Sequence, residues 1–154
     1  MVSGELQYIN NLYICIMKIQ KTYLDLINFN QVAAAYIDKN KEAENKLCSA
    51  IKQFSKQLKN IFENYNDERD NIQLNNCSVD EKTKVILKDD KGNRQFTIEA
   101  EKKLKKELKE LLHTKIECHA RIPEAIDELI SELTETELEI FDGIIIPEQS
   151  VENI

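Results

Sequence analysis

Leu47, Ile51, Phe54, Leu58, Ile61 and Tyr65 recur at steps of four, three, four, three and four residues, and no Gly or Pro interrupts the surrounding run 40–69. An apolar residue every three to four positions lines one side of an α-helix, and this alternation is the heptad seam of a coiled coil. Lys and Gln fill most of the positions between, so the remaining surface of the helix is expected to face water. The spacing predicts a helix over 40–69, about 45 Å long. So narrow a seam does not hold a helix in water by itself, and it requires a partner.

Residues 98–113 are the nearest candidate. Thr97 is placed to cap a helix whose first turn carries Glu99 and Glu101, and Leu104, Leu108, Leu111 and Leu112 form its apolar stripe. Glu99 with Lys103 and Glu101 with Lys105 are spaced as i,i+4 ion pairs. This helix is about half as long as the first, so the expected antiparallel helical hairpin leaves part of the seam uncovered.

Between the two arms, the Asn- and Asp-rich stretch 66–82 reads as a loop. The period then changes to two. Val85 and Leu87 alternate with Ile86 and Lys88, Asp89 to Asn93 make a turn, and the second strand runs to Ile98, giving a β-hairpin over 84–98. Gly92 supplies the positive φ such a turn needs. In 115–122, Ile116, Cys118, Ala120 and Ile122 alternate with charged or polar residues. That is a half-buried strand, expected to join the hairpin sheet and to end at Pro123. Further on, Ile126, Leu129, Ile130 and Leu133 form a short amphipathic stretch. Thr134 and Glu137 then form a capping box before Leu138 and Phe141, and Gly143 stops that helix. Ile144, Ile145 and Ile146 are expected as a last strand. Ahead of the seam, residues 18–38 predict one or two short helices with a break near Asn28 and Asn30, Asn30 serving as an N-cap. The expected class is therefore α+β and mostly helical: a helical hairpin or coiled-coil arm with a small antiparallel sheet made of hairpin 84–98 and strand 115–122.

A chain of 154 residues favours one domain, taken as 17–146. Met17-Lys18-Ile19 reads like a natural start, which makes residues 1–16 a candidate non-native or poorly ordered extension. Residues 147–154 read as a flexible tail.

Composition excludes several functions. Lys outnumbers Arg by 18 to 3. Arg is the residue of bidentate phosphate and base contacts, so specific nucleic-acid recognition is not expected. The apolar patch Leu12–Met17 is too short to span a bilayer and lacks the flanks of a secretory signal. Cys15, Cys48, Cys77 and Cys118 form no short-spaced pair, so free thiols are expected rather than a disulfide framework. Ile, Asn and Lys supply 52 of 154 residues, the bias of AT-rich codons.

No group of residues reads as an active site, and no cofactor or metal is expected. His113 and His119 bracket Cys118, but Cys118 and His119 are adjacent on a strand and point to opposite faces, which leaves too few ligands for zinc. Asp67, Glu68 and Asp70 read as the charged end of a helix. Asp89 to Asn93 lacks the spacing and closing Glu of a calcium loop. The lysines at 102, 103, 105, 106 and 109 are offset by interleaved glutamates. Charge is nonetheless uneven. Residues 117–154 hold eleven acids and one base, whereas 1–116 hold seventeen acids and twenty bases.

The stretches KDDKGNRQFTIEAEKKLKKELKELLHTKIE and LTETELEIFDG, within residues 40–146, resemble small uncharacterised helical proteins encoded by tailed phages and prophages. The resemblance implies a phage setting, in the cytoplasm of a bacterial host or in the virion, and supplies no catalytic residues. The order helix, hairpin, helix also resembles prefoldin-type chaperone subunits. The expected function is non-enzymatic: an accessory or assembly protein that binds another protein or copies of itself, without specific nucleic acid or membrane. Its expected interaction residues are Leu47, Ile51, Phe54, Leu58, Ile61 and Tyr65. In the alternative, Glu128, Glu132, Glu135 and Glu139 dock as a charge mimic on a basic host protein. A prefoldin-like chaperone subunit is a further alternative.

Overall fold

The computed structural model describes residues 4–149. They divide into two compact units, one built from residues up to Lys59 and from Lys115 onward, the other Asn60–Thr114.

The first unit is organised by a three-stranded antiparallel sheet in the order β1-β2-β3, with β1 Glu5–Ile9, β2 Leu12–Thr22 and β3 Lys115–Pro123. A two-residue turn joins β1 to β2. Asn10 and Asn11 both take positive φ, 51° and 63°, the conformation whose twist matches that of the flanking strands and that Asn tolerates better than most residues. β2 leads straight into α1 (Tyr23–Lys39). Thr22 stops the strand and starts the helix: its hydroxyl accepts from the Asp25 N–H, and the Asp25 carboxylate accepts from the Thr22 N–H, each at 3.0 Å.

Helix α1 buries Tyr23, Leu26, Phe29, Ala33 and Tyr36, one face at helical spacing. Helix α2 (Lys46–Ser55) is capped by the Asn45 side chain, which accepts from the Cys48 N–H at 3.0 Å. It buries Leu47, Cys48, Ala50, Ile51 and Phe54 and packs on β3. Two short helices, α5 (Asp127–Ser131) and α6 (Glu135–Phe141), complete the unit, and α6 lies against α1. Aromatic rings knit the core. Phe29 meets Phe54 edge-on at 4.9 Å and Phe141 at 5.7 Å, and Tyr36 meets Phe141 at 5.7 Å, the geometry that ring quadrupoles favour. Ile144, Ile145 and Ile146 are buried beside them.

The second unit contains most of α3 (Leu58–Asn76, whose first two residues belong to the first unit) and all of α4 (Ile98–Leu112). The Thr97 hydroxyl caps α4 by accepting from the Ala100 N–H at 3.1 Å. Between the helices runs an irregular loop with two isolated antiparallel bridges, Val79 to Ile86 and Lys88 to Arg94. Its tip turns on Gly92, at φ 81°, while the Asp89 carboxylate accepts from the N–H groups of Lys91 and Asn93. The Asn76 amide donates to the Glu107 carboxylate at 2.8 Å and ties α3 to α4. Leu104 and Leu111 are buried, whereas Ile61, Phe62, Tyr65, Ile72, Leu108 and Leu112 are only half-buried.

The α+β class, the high helical content and a small antiparallel sheet agree with the sequence, but several expectations are corrected. The helix expected over 40–69 is not continuous. Residues 40–44 precede the Asn45 cap, and a turn at Lys56-Gln57 separates α2 from α3, the Gln57 N–H donating to the Phe54 carbonyl at 3.1 Å. The heptad seam is thereby divided between the two units. The loop expected at 66–82 is helical up to Asn76, and α1 runs unbroken through Asn28 and Asn30 because its cap is Thr22.

The hairpin expected over 84–98 forms no ladder strand, only the bridge Lys88 to Arg94 and that of Ile86 to Val79, and strand 115–122 does not join it. That strand pairs with β2, whose apolar residues match its own across the ladder. The expected extension before Met17 is instead β1 and the first half of β2, with Leu12 and Ile14 in the core. Ile144 to Ile146 form no ladder strand, only an Asp142 to Ile146 bridge. Of the expected tail, 147–149 are exposed, and residues 1–3 and 150–154 lie outside the described residues.

Candidate interaction surface

In an antiparallel sheet alternate residues turn their N–H and C=O groups to opposite sides, so the register tells which groups face each open edge. The two-residue turn makes Ile9 and Leu12 a hydrogen-bonded pair. Gln7 with Ile14 and Glu5 with Ile16 follow in step. Consistently, the Tyr13 carbonyl points away from β1 and accepts from the Glu124 N–H at 3.0 Å. The outward groups of β1 are therefore those of Leu6 and Tyr8, and the outward groups of β3 are those of Arg121, His119 and Glu117.

The two edges are treated differently. On β3, the Arg121 N–H donates to the Ile144 carbonyl at 2.8 Å. The Gln57 side-chain amide occupies His119 on both sides: Nε2 donates to the His119 carbonyl and Oε1 accepts from the His119 N–H, each at 2.8 Å. A side chain thus takes the place of a neighbouring strand. On β1, no backbone group among the described residues pairs with Leu6 or Tyr8. Proteins usually blunt such an edge with Pro, Lys or a covering segment; β1 contains no Pro or Lys, only Glu5 at its start.

Apolar side chains flank that open ladder. Leu6 is 52% exposed, Tyr8 59% and Tyr13 52%. Residues directly opposite one another share a face, so Tyr8 with Tyr13 and Leu6 with Cys15 stand on the same side of the sheet. The two tyrosine rings lie 4.7 Å apart. The same face continues through Met17 and Ile19 into a cavity of about 720 Å³, walled on its far side by Asp142, Gly143, Pro147 and Glu148. The outcome is an open strand edge beside an apolar groove.

The residues expected to bind from the sequence lie elsewhere. Leu47, Ile51, Phe54 and Leu58 are core residues of the first unit, and Ile61 and Tyr65 are half-buried in the second. None of the first four is available to a partner without unfolding. Glu128, Glu132, Glu135 and Glu139 are all exposed. Glu137 between them is not. Burial alone would raise its carboxyl, but the Lys39 ammonium at 2.8 Å and the Thr134 N–H at 2.9 Å outweigh that and hold it below the usual carboxylate range.

The titratable groups singled out in the sequence stay apart. His113 is exposed at the end of α4 with Nδ1 2.9 Å from the Lys109 carbonyl, and His119 is exposed on β3. Cys118 points to the buried face, where desolvation pushes its thiol up to about 11. Among the described residues no three His, Cys, Asp or Glu side chains are grouped to hold a metal ion. Asp70 pairs with Arg94 at 2.7 Å. No helix among the described residues is long and apolar enough to cross a membrane.

The sequence reading missed Leu6, Tyr8 and Tyr13 because it set residues 1–16 aside. The signal was there: Leu6, Tyr8 and Tyr13, Cys15 alternate on either side of Asn10-Asn11, a two-residue turn between two strands. No protein-family model, curated protein or solved structure matches the chain.

Proposed function

We propose that this chain is a non-enzymatic binding protein that recruits an extended protein segment by strand addition at β1. The phage or prophage setting, in host cytoplasm or virion, comes from the sequence resemblance alone. The observation that carries the reading is the contrast between the edges: β3 is occupied at His119 and Arg121, while on β1 Leu6 and Tyr8 have no backbone partner among the described residues and stand beside exposed tyrosines. In strand addition, main-chain hydrogen bonds supply affinity and alternate side chains supply specificity. Here the alternate side chains of the incoming strand would meet Leu6, Tyr8 and the Cys15-Met17-Ile19 groove.

A displayed library of short random peptides, panned on the chain and counter-selected on Leu6→Pro, tests this. Proline at position 6 removes an outward donor and leaves the β1 to β2 ladder intact. The reading expects extended peptides with alternating apolar residues that shift the Leu6 and Tyr8 amide resonances. Recovery of none, or of peptides that bind Leu6→Pro equally well, contradicts it. The charge-mimic alternative has the four exposed glutamates behind it. It requires that reversing Glu128, Glu132, Glu135 and Glu139 to Lys abolish binding to a basic host protein, which strand addition at β1 does not.

A further inference from the structure

Resting on the reading of β1 as a strand-accepting edge, we infer that one occupant of that edge is the β1 strand of a second copy, paired antiparallel about a two-fold axis through Gln7. The sequence of the strand, Glu-Leu-Gln-Tyr-Ile, is self-complementary in that register. Leu6 faces Tyr8 of the other copy, Tyr8 faces Leu6, Gln7 faces Gln7, and Glu5 faces Ile9. No like charges meet, although the chain as a whole carries −7.

The hydrogen bonds favour the same register. Only Leu6 and Tyr8 turn their backbone groups outward, so both must find partners in the other strand. Pairing Leu6 with Tyr8 in both directions makes two closely spaced pairs and four backbone hydrogen bonds. Sliding the strands by one step of allowed parity, to put Leu6 on Leu6 or Tyr8 on Tyr8, leaves half of these unmade within β1. The shared face then gathers Leu6, Tyr8 and Tyr13 from both copies into one apolar cluster across a continuous six-stranded sheet. A closed two-fold contact uses up both edges and does not propagate into fibres. Five residues of strand with six large side chains fall at the small end of specific interfaces, so the dimer is weak and concentration-dependent.

Light scattering over a concentration series, with site-directed cross-linking, tests this. Wild-type mass rises toward that of a dimer with concentration, and Leu6→Pro stays monomeric at the same loads while its circular dichroism remains that of the wild type. Gln7→Cys places two thiols across a non-hydrogen-bonded pair about 4.5 Å apart at Cα, within disulfide reach. Under mild oxidation it forms a covalent dimer at least about tenfold faster than Glu5→Cys, with wild type as the background for the native cysteines. Equal cross-linking of the two variants overturns the register, whether or not Leu6→Pro folds. A wild type that stays monomeric at the highest load overturns the pairing. If selected peptides still bind β1 in that case, the strand-accepting edge stands without self-pairing; if they do not, both fall.

Discussion

The side-chain amide of Gln57 and the backbone of His119 are joined by two hydrogen bonds of 2.8 Å, donor to carbonyl and N–H to acceptor. The pair occupies the middle of the β3 edge, whereas no backbone group among the described residues pairs with Leu6 or Tyr8 on β1. Replacing Gln57 by Ala removes both bonds at an exposed site. A loss of about 1–2 kcal/mol is expected from two modest hydrogen bonds, together with greater self-association through β3. Denaturant melts and light scattering on Gln57→Ala measure both. Unchanged stability and mass would show that the β3 edge needs no closure.

The seam residues divide by role, and mutation should separate them. Phe54 is fully buried against Phe29, so Phe54→Ala is expected to cost about 3–5 kcal/mol. Tyr65 is half-buried in the second unit, and Tyr65→Ala is expected to cost about 1 kcal/mol. Equilibrium urea unfolding compares them. Similar small losses for both would return the seam to the surface as a partner-binding stripe.

The Lys39 to Glu137 pair predicts a pH dependence. The folded-state carboxyl of Glu137 is held below its usual range, so its contribution is present above the unfolded value of about 4.3. It is lost as pH falls through the lower folded value. Lys39→Met removes the ammonium and leaves a buried carboxylate with only its Thr134 contacts. A loss of about 1–2 kcal/mol near neutrality is expected, discounted because Lys39 is more than half exposed. The loss should shrink below about pH 4 as the carboxyl protonates. Thermal melts of both proteins between acid and neutral pH check it; a difference independent of pH would contradict the ion pair.

Thiol reactivity reports burial. Cys48 and Cys118 are buried, and Cys15 and Cys77 are partly exposed. Desolvation raises the Cys118 thiol to about 11, so near pH 8 it stays protonated and unreactive. Native protein should label quickly at Cys15 and Cys77 and slowly at the buried pair, with all four labelling in denaturant. Peptide mapping after a short pulse identifies the sites.

Local signals were the legible part of the fold. Thr97 and the Thr134 and Glu137 box cap helices where the sequence places them, Gly92 sits at the turn tip, and Cys118, Ala120 and Ile122 face inward together. What periodicity could not show was partnership. A heptad continues through Lys56 and Gln57 in sequence, yet the chain turns there. Gln57 is committed to His119, sixty-two residues away, and no local pattern announces that. Likewise the partner of strand 115–123 lies at the other end of the chain, in residues whose apolar run resembles an appendage until it is paired. The exposed Leu6, Tyr8 and Tyr13 were passed over for the same reason, since their exposure has meaning only once β1 is an edge strand.

Amide hydrogen exchange across β1 tests the central claim most directly. With Leu6 and Tyr8 facing outward and Gln7 and Ile9 bonded to β2, dilute protein should show alternation: fast exchange at 6 and 8, slow at 7 and 9. As concentration rises, or when a strand peptide is added, the Leu6 and Tyr8 amides should become protected while Gln7 and Ile9 change little. Fast exchange at Leu6 and Tyr8 under all of these conditions, or protection of both in dilute monomer, would contradict an open strand-accepting edge.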